Sequence, residues 1–167
     1  LTMLSMALEL AKDNPAYEDV ASKFFEHFVG IVDAMNSLGG TGLWDDQDGF
    51  YYDTLKSHRP DSRPTPLRIR ALVGLIPLIA VEVLETDVVE SLPGFYDRTG
   101  WFIRNRQDLS RHISYMESRG NKRSNGHILL AIPSHDRLER VLQYMLDETE
   151  FLSPYGLRSL SRYHEQQ

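Results

Sequence analysis

ALVGLIPLIAVEVL, residues 71–84, is apolar on nearly every side, and the architecture expected for the chain turns on it. A helix without a polar face is stable only where neighbours cover it all round, so the stretch predicts a buried helix, kinked at Pro77 by the missing N–H and the ring clash. Its nearly uncharged part, Ala71 to Val81, is eleven residues long and holds Gly74 and Pro77, whereas a bilayer-spanning helix needs roughly 20 apolar residues. It is therefore a core segment and not an anchor. Glu82 interrupts the run and needs a partner or a pocket, a buried salt bridge being the ordinary outcome.

Immediately upstream, FYYDTL (50–55) is aromatic and β-prone and PLRIR (66–70) alternates apolar with basic, so the two can pair across the polar loop KSHRPDSRPT. Further upstream, Asn14 and Pro15 form a cap and first-turn pair. Tyr17, Val20, Ala21, Phe24, Phe28, Ile31, Val32 and Met35 then keep helical spacing, which predicts a helix over 15–37, stopped by Leu38 to Thr41. Leu1, Leu4, Leu8 and Ala11 share one helical face with no capping residue before them, as expected of a polypeptide entered partway along. This apolar start has neither the basic region nor the small-residue cleavage site of a signal peptide.

Downstream, helices are predicted over roughly Pro93 to Arg106, carrying Phe95, Trp101 and Phe102, and from Ser134, with a stripe of Leu138, Val141, Leu142, Met145 and Leu146. Between them ISYMESRGNKRSNGHILLAI has no sustained period and reads as a loop with a short strand or turn. One-sided helices alternating with an all-round apolar one suggest an all-α chain in two concentric layers, whose connecting loops converge on a central pocket.

With 167 residues, 41% hydrophobic and 25% charged, the composition is that of one ordinary globular domain or a piece of a larger one. The absence of cysteine excludes a disulfide scaffold, a thiolate zinc site and a cysteine nucleophile, and fits a reducing, cytoplasmic setting. A net charge of −6 with no local basic patch argues against nucleic acid as a partner.

The densest chemical cluster is GLWDDQDGFYYD, residues 42–53, where Trp44, Phe50, Tyr51 and Tyr52 interleave with Asp45, Asp46, Asp48 and Asp53. Pyranose rings suit this mixture, since their C–H faces stack on aromatic rings and their hydroxyls donate to carboxylates. A buried aromatic hairpin beside a solvated acidic turn would show the same residues. Asp46, Asp48 and Gly49 match three EF-hand positions, but Trp44 and Leu55 occupy the first and twelfth, so a standard calcium loop is rejected. A second cluster, SPYGLRSLSRYH (153–164), places Tyr155 and Gly156 before Arg158, Ser159, Ser161 and Arg162. GGTG at 39–42 lacks the ending of a phosphate loop, and the six histidines include no metal-binding spacing.

In order along the chain, MALELA, NPAYEDVASKFFEHFVGIVDAMN, GLWDDQDGFYYD, LRIRALVGLIPLIAVEVLE and DETEFLSPYGLRSLSRYH resemble glycoside hydrolase family 63, the family of processing α-glucosidase I and mannosylglycerate hydrolase. The resemblance implies part of an (α/α)6 toroid, with a small β-hairpin insertion, in an enzyme that hydrolyses α-glycosidic bonds with inversion. It also implies that residues 1–167 are a middle portion, with the general acid upstream, the general base downstream, and no catalytic residue in this chain. Ala71, Thr54 and the KSHRPDSRPT loop depart from the pattern at the rim. The substrate-binding set expected is Trp44, Asp45, Asp48, Tyr52, Asp53, Tyr155 and Arg158, with Trp44 stacking on a sugar and Arg158 orienting a carboxylate or polar substituent. The expected partners are an oligosaccharide or small glycoside and the remaining helices of a parent domain, with no metal, cofactor, nucleic acid or membrane. A noncatalytic all-α carbohydrate-binding or assembly module is the other expectation.

Overall fold

The computed structural model describes residues 1–37, 42–55, 64–105 and 127–166. Most of the KSHRPDSRPT loop, the helix stop at 38–41 and residues 106–126 lie outside them. The chain divides into two compact units, Leu1–Asp33 with Ala80–Ile132, and Ala34–Ile79 with Pro133–Gln167.

In the first unit, α1 (Thr2–Ala11) buries Leu4, Ala7, Leu8 and Ala11, the face expected from their spacing. Helix α2 (Ala16–Ser37) begins where the Asn14 side chain accepts the Ala16 N–H at 3.1 Å. Its buried stripe is Ala21, Phe25, Phe28, Val29 and Val32, rotated from the predicted face so that Tyr17, Val20 and Ile31 are exposed. Phe25 explains the rotation, because Phe95 and Phe102 of α4 (Pro93–Asn105) meet its ring edge to face at 6.3 and 6.0 Å. Glu18 reinforces that packing by accepting the Phe95 N–H in the first turn of α4 at 2.9 Å.

Residues 71–84 do not form one helix. Leu72–Ile79 is a 3-10 segment, and Val81–Glu85 is a strand, β5, antiparallel to β6 (His127–Ala131) with Val81 opposite Ala131 and Glu85 opposite His127. Gly74 packs so closely on the Phe50 ring that a Cβ there would clash with it. Pro77 removes a donor, and β-branched Val81 and Val83 favour the extended chain that follows. Alternation along β5 turns Val81 and Val83 outward and Leu84 inward, with Glu82 half-buried on the same face as Leu84. A five-residue helix, α3 (Thr86–Glu90), follows it.

The second unit contains β1 (Trp44–Asp45) paired with β2 (Phe50–Tyr51), and β3 (Asp53–Leu55) paired with β4 (Thr65–Leu67), the pairing expected of FYYDTL and PLRIR. Helix α5 (His135–Leu146) starts at Ser134, whose side chain accepts the Arg137 N–H as an N-cap. The chain ends through β7 (Leu152–Ser153), β8 (Gly156–Leu157) and a 3-10 turn, Arg162–Gln166. The core of this unit joins Trp44, Phe50, Tyr51, Tyr52, Leu75, Val141 and Phe151, with Phe50 and Phe151 stacked at 5.8 Å.

Among the described residues the fold is thus mixed α/β, with helices and four two-stranded antiparallel sheets, which overturns the all-α expectation. No (α/α)6 toroid and no pair of concentric helical layers is present among them. The segment meant to be the inner helix is divided between a 3-10 turn in one unit and a strand in the other.

Candidate functional site

The β1–β2 hairpin is set by one aspartate. Asp45 Oδ1 accepts the N–H groups of Gln47 and Asp48, each at 3.0 Å, and Gly49 closes the turn at φ +71, a conformation other residues adopt only with strain. Arg68 pairs with Asp45 at 2.9 Å. The Asp48 N–H bond first, and the Arg68 charge with it, outweigh burial and hold the Asp45 carboxyl below its ordinary 3.8. A depressed carboxylate contributes stability that is complete above its ordinary value and is lost as pH falls through the lowered one. Asp45→Asn should therefore flatten the acid limb of the unfolding curve below about pH 4, as measured by urea denaturation across pH.

Trp44 sits inside this hairpin at 4% exposure. Its indole N–H donates to Asp46 at 2.7 Å, Tyr51 meets it edge on at 4.9 Å, and the guanidinium groups of Arg137 and Arg140 lie 4.8 and 5.6 Å from the ring centroid. The neighbouring phenol of Tyr51 donates to Asn36 at 3.1 Å.

Behind the hairpin, Arg70 gathers residues from four segments. Its guanidinium lies 4.6 Å from the ring centroids of both Tyr144 and Tyr163, pairs with Glu150 at 2.6 Å, and stands 4.0 Å from Asp48 Oδ2. The same Asp48 oxygen accepts the Tyr52 hydroxyl at 2.8 Å, and the Asp48 carbonyl accepts from Tyr144 at 2.5 Å. Ser161 donates to the second oxygen of Glu150. Burial and then the Asp48 carboxylate push the Tyr52 phenol up to about 12, so it remains a donor across the physiological range. Burial works against the Arg70 charge, but Tyr52, Glu150 and Tyr144 outweigh it and raise its pKa.

Beside this network lies a cavity of about 150 Å³ whose lining includes Tyr51, Tyr52 and Asp53 together with Ile69, Val73 and Ile76. Of the seven residues expected to hold a sugar, Tyr52 and Asp53 line it, and Asp48 stands behind Tyr52 as its acceptor. Trp44 and Asp45 shape the hairpin and do not line this cavity. Tyr155, at the tip of the β7–β8 hairpin, is 100% exposed. Arg158 spends its guanidinium on the backbone carbonyls of Glu148, Glu150 and Leu152, fastening the turn that presents Glu150.

Sequence reasoning missed Arg70, Tyr144, Glu150 and Tyr163 as a group. One signal was present: the alternation of PLRIR sends Arg70 to the side opposite Ile69. Among the described residues no group of three His, Asp or Glu is placed to hold a metal ion, and no helix is long and apolar enough to cross a membrane.

The site is a mostly aliphatic cavity with Tyr51, Tyr52 and Asp53 in its lining, beside a cation that lies close to two further tyrosines. No family model and no solved structure matches the chain. It is similar to a Saccharomyces cerevisiae protein named "Uncharacterized protein YMR196W", 45% identical over 181 aligned residues that take in 99% of this chain. The chain spans 16% of that relative's length.

Proposed function

We propose that residues 1–167 supply sugar-holding loops to a glycoside hydrolase that cleaves α-glycosidic bonds with inversion, the acid and base carboxylates being carried by polypeptide outside this chain. The observation that carries this reading is the cavity whose lining brings Tyr51, Tyr52 and Asp53 together. With its hydroxyl committed to Asp48 and little of its surface exposed, Tyr52 is a fixed wall of this cavity and sets its shape more than it offers an open stacking face. Asp53 is exposed and free to accept from sugar hydroxyls. An inverting enzyme needs such holding groups between two carboxylates roughly 6.5 to 9.5 Å apart, with room for the attacking water. The motif resemblance over most of the chain supports the reaction class, and the match to a small share of a much longer relative supports a role within a larger polypeptide.

The test is turnover of 4-nitrophenyl α-D-glucopyranoside and α-D-mannopyranoside by the full-length protein, with NMR of the first-formed sugar. Release of the β-anomer is expected. Saccharide binding without turnover would favour a noncatalytic module, and neither binding nor turnover would end the sugar reading. In the active protein, Asp53→Ala should raise KM about tenfold or more, since a hydrogen bond to a charged group contributes roughly 1.5–3 kcal/mol. Its exposed position should keep the change in stability within about 0.5 kcal/mol.

A further inference from the structure

Arg70 is fastened more thoroughly than a surface cation requires. Its N–H donates to His164 Nε2 at 3.0 Å and its carbonyl accepts the Ser161 N–H at 2.9 Å, while the next residue but one, Leu72, donates to the Ser159 carbonyl at 2.8 Å. Its guanidinium lies over the rings of Tyr144 and Tyr163, 4.6 Å from each centroid, and is paired with Glu150. The residues on either side of it, Ile69 and Ala71, line the cavity. Asp48 stands between Arg70 and the hydroxyl of Tyr52, whose ring lines the same cavity.

We infer that Arg70 is the positioning residue of the site: in concert with Asp48 its guanidinium fixes the Tyr52 ring, while the backbone bonds at the same position hold Ile69 and Ala71, so that the cluster around Arg70 sets the shape of the surface a sugar ring would meet. This inference rests on the sugar-site reading for its ligand but not for its geometry. Arginine suits the task because its planar guanidinium lies over aromatic rings while still pairing with carboxylates in its plane; a lysine ammonium keeps the charge without that fork.

The experiment uses Arg70→Lys in the full-length protein, which leaves neither Glu150 nor Asp48 without a cation. Mild nitration with tetranitromethane, mapped by peptide mass spectrometry, reports each tyrosine separately. In the wild type the fully exposed Tyr155 should react and the buried Tyr51 and Tyr52 should be spared. In the variant Tyr52 should become reactive while Tyr51 remains spared, and KM for 4-nitrophenyl α-D-glucopyranoside should rise about tenfold with kcat changed less than about threefold. Asp48→Ala, which cuts the same link at its other end, should reproduce both changes if Arg70→Lys fails to fold. Tyr52 staying as protected as Tyr51, both tyrosines becoming reactive together, or an unchanged KM in an active enzyme would each overturn the assignment. A wild type inert toward every α-glycoside would end the sugar reading instead, and the nitration pattern would still decide whether Arg70 positions Tyr52.

Discussion

Replacing Trp44 with alanine should lower stability by about 3–5 kcal/mol, the range for truncating a large buried aromatic side chain. For a chain of this size that is a fall in Tm of roughly 6–20 °C. The ring is 4% exposed, packs on Tyr51, and has guanidinium groups from α5 over it. Truncation leaves a cavity between β1 and α5 and strips Arg137 and Arg140 of a ring they cover. A sugar platform behaves differently, because losing a stacking surface weakens substrate binding by about 1–3 kcal/mol and leaves the fold intact. Melting and the Michaelis constant of the full-length variant separate the two: a large drop in Tm with unchanged KM for the folded fraction is expected. Loss of less than about 1 kcal/mol together with a raised KM would return Trp44 to the site.

The same residue shows what a linear sequence conceals. Interleaved aromatic and acidic residues in GLWDDQDGFYYD announce a hairpin with carboxylates to spare, and the hairpin is there. Which rings face a ligand depends on what lies over them, and for Trp44 that is Arg137 and Arg140, more than ninety positions away. Local signals held where the physics was local, as at the Asn14 and Ser134 caps and in the pairing of β3 with β4. They failed at residues 71–84, because a continuous apolar run is compatible with a buried helix, a turn or a strand, and periodicity cannot arbitrate among them. What marks Val81–Glu85 as a strand is its nonlocal pairing with His127–Ala131. That Tyr52 and Asp53 lie close together was legible; that they line a cavity beside Arg70 was not, since Arg70 looked like one basic residue in an alternating strand.

Removing Glu150 should be as damaging as removing Trp44, for an electrostatic reason. Glu150 and Arg70 have side chains only 13% exposed and meet at 2.6 Å, so the pair is shielded from water, unlike a surface ion pair. Taking away one member of a buried pair leaves the other charge without compensation and costs about 3–5 kcal/mol. Asp48, 4.0 Å from the guanidinium and bonded to Tyr52, helps to hold the cation in place but is too far to replace the Glu150 carboxylate at 2.6 Å. Ser161, buried at 1% exposure, also loses the acceptor of its hydroxyl. Glu150→Ala should thus destabilise the protein by about 3–5 kcal/mol in urea denaturation. Substituting both partners, Arg70→Met with Glu150→Leu, should cost less than Glu150→Ala alone, since an apolar pair of similar volume leaves no charge stranded. If Glu150→Ala costs under about 1 kcal/mol, the pair is behaving as an exposed one. Water would then reach the guanidinium, and the rings of Tyr144 and Tyr163 would have to hold Arg70 in place without Glu150.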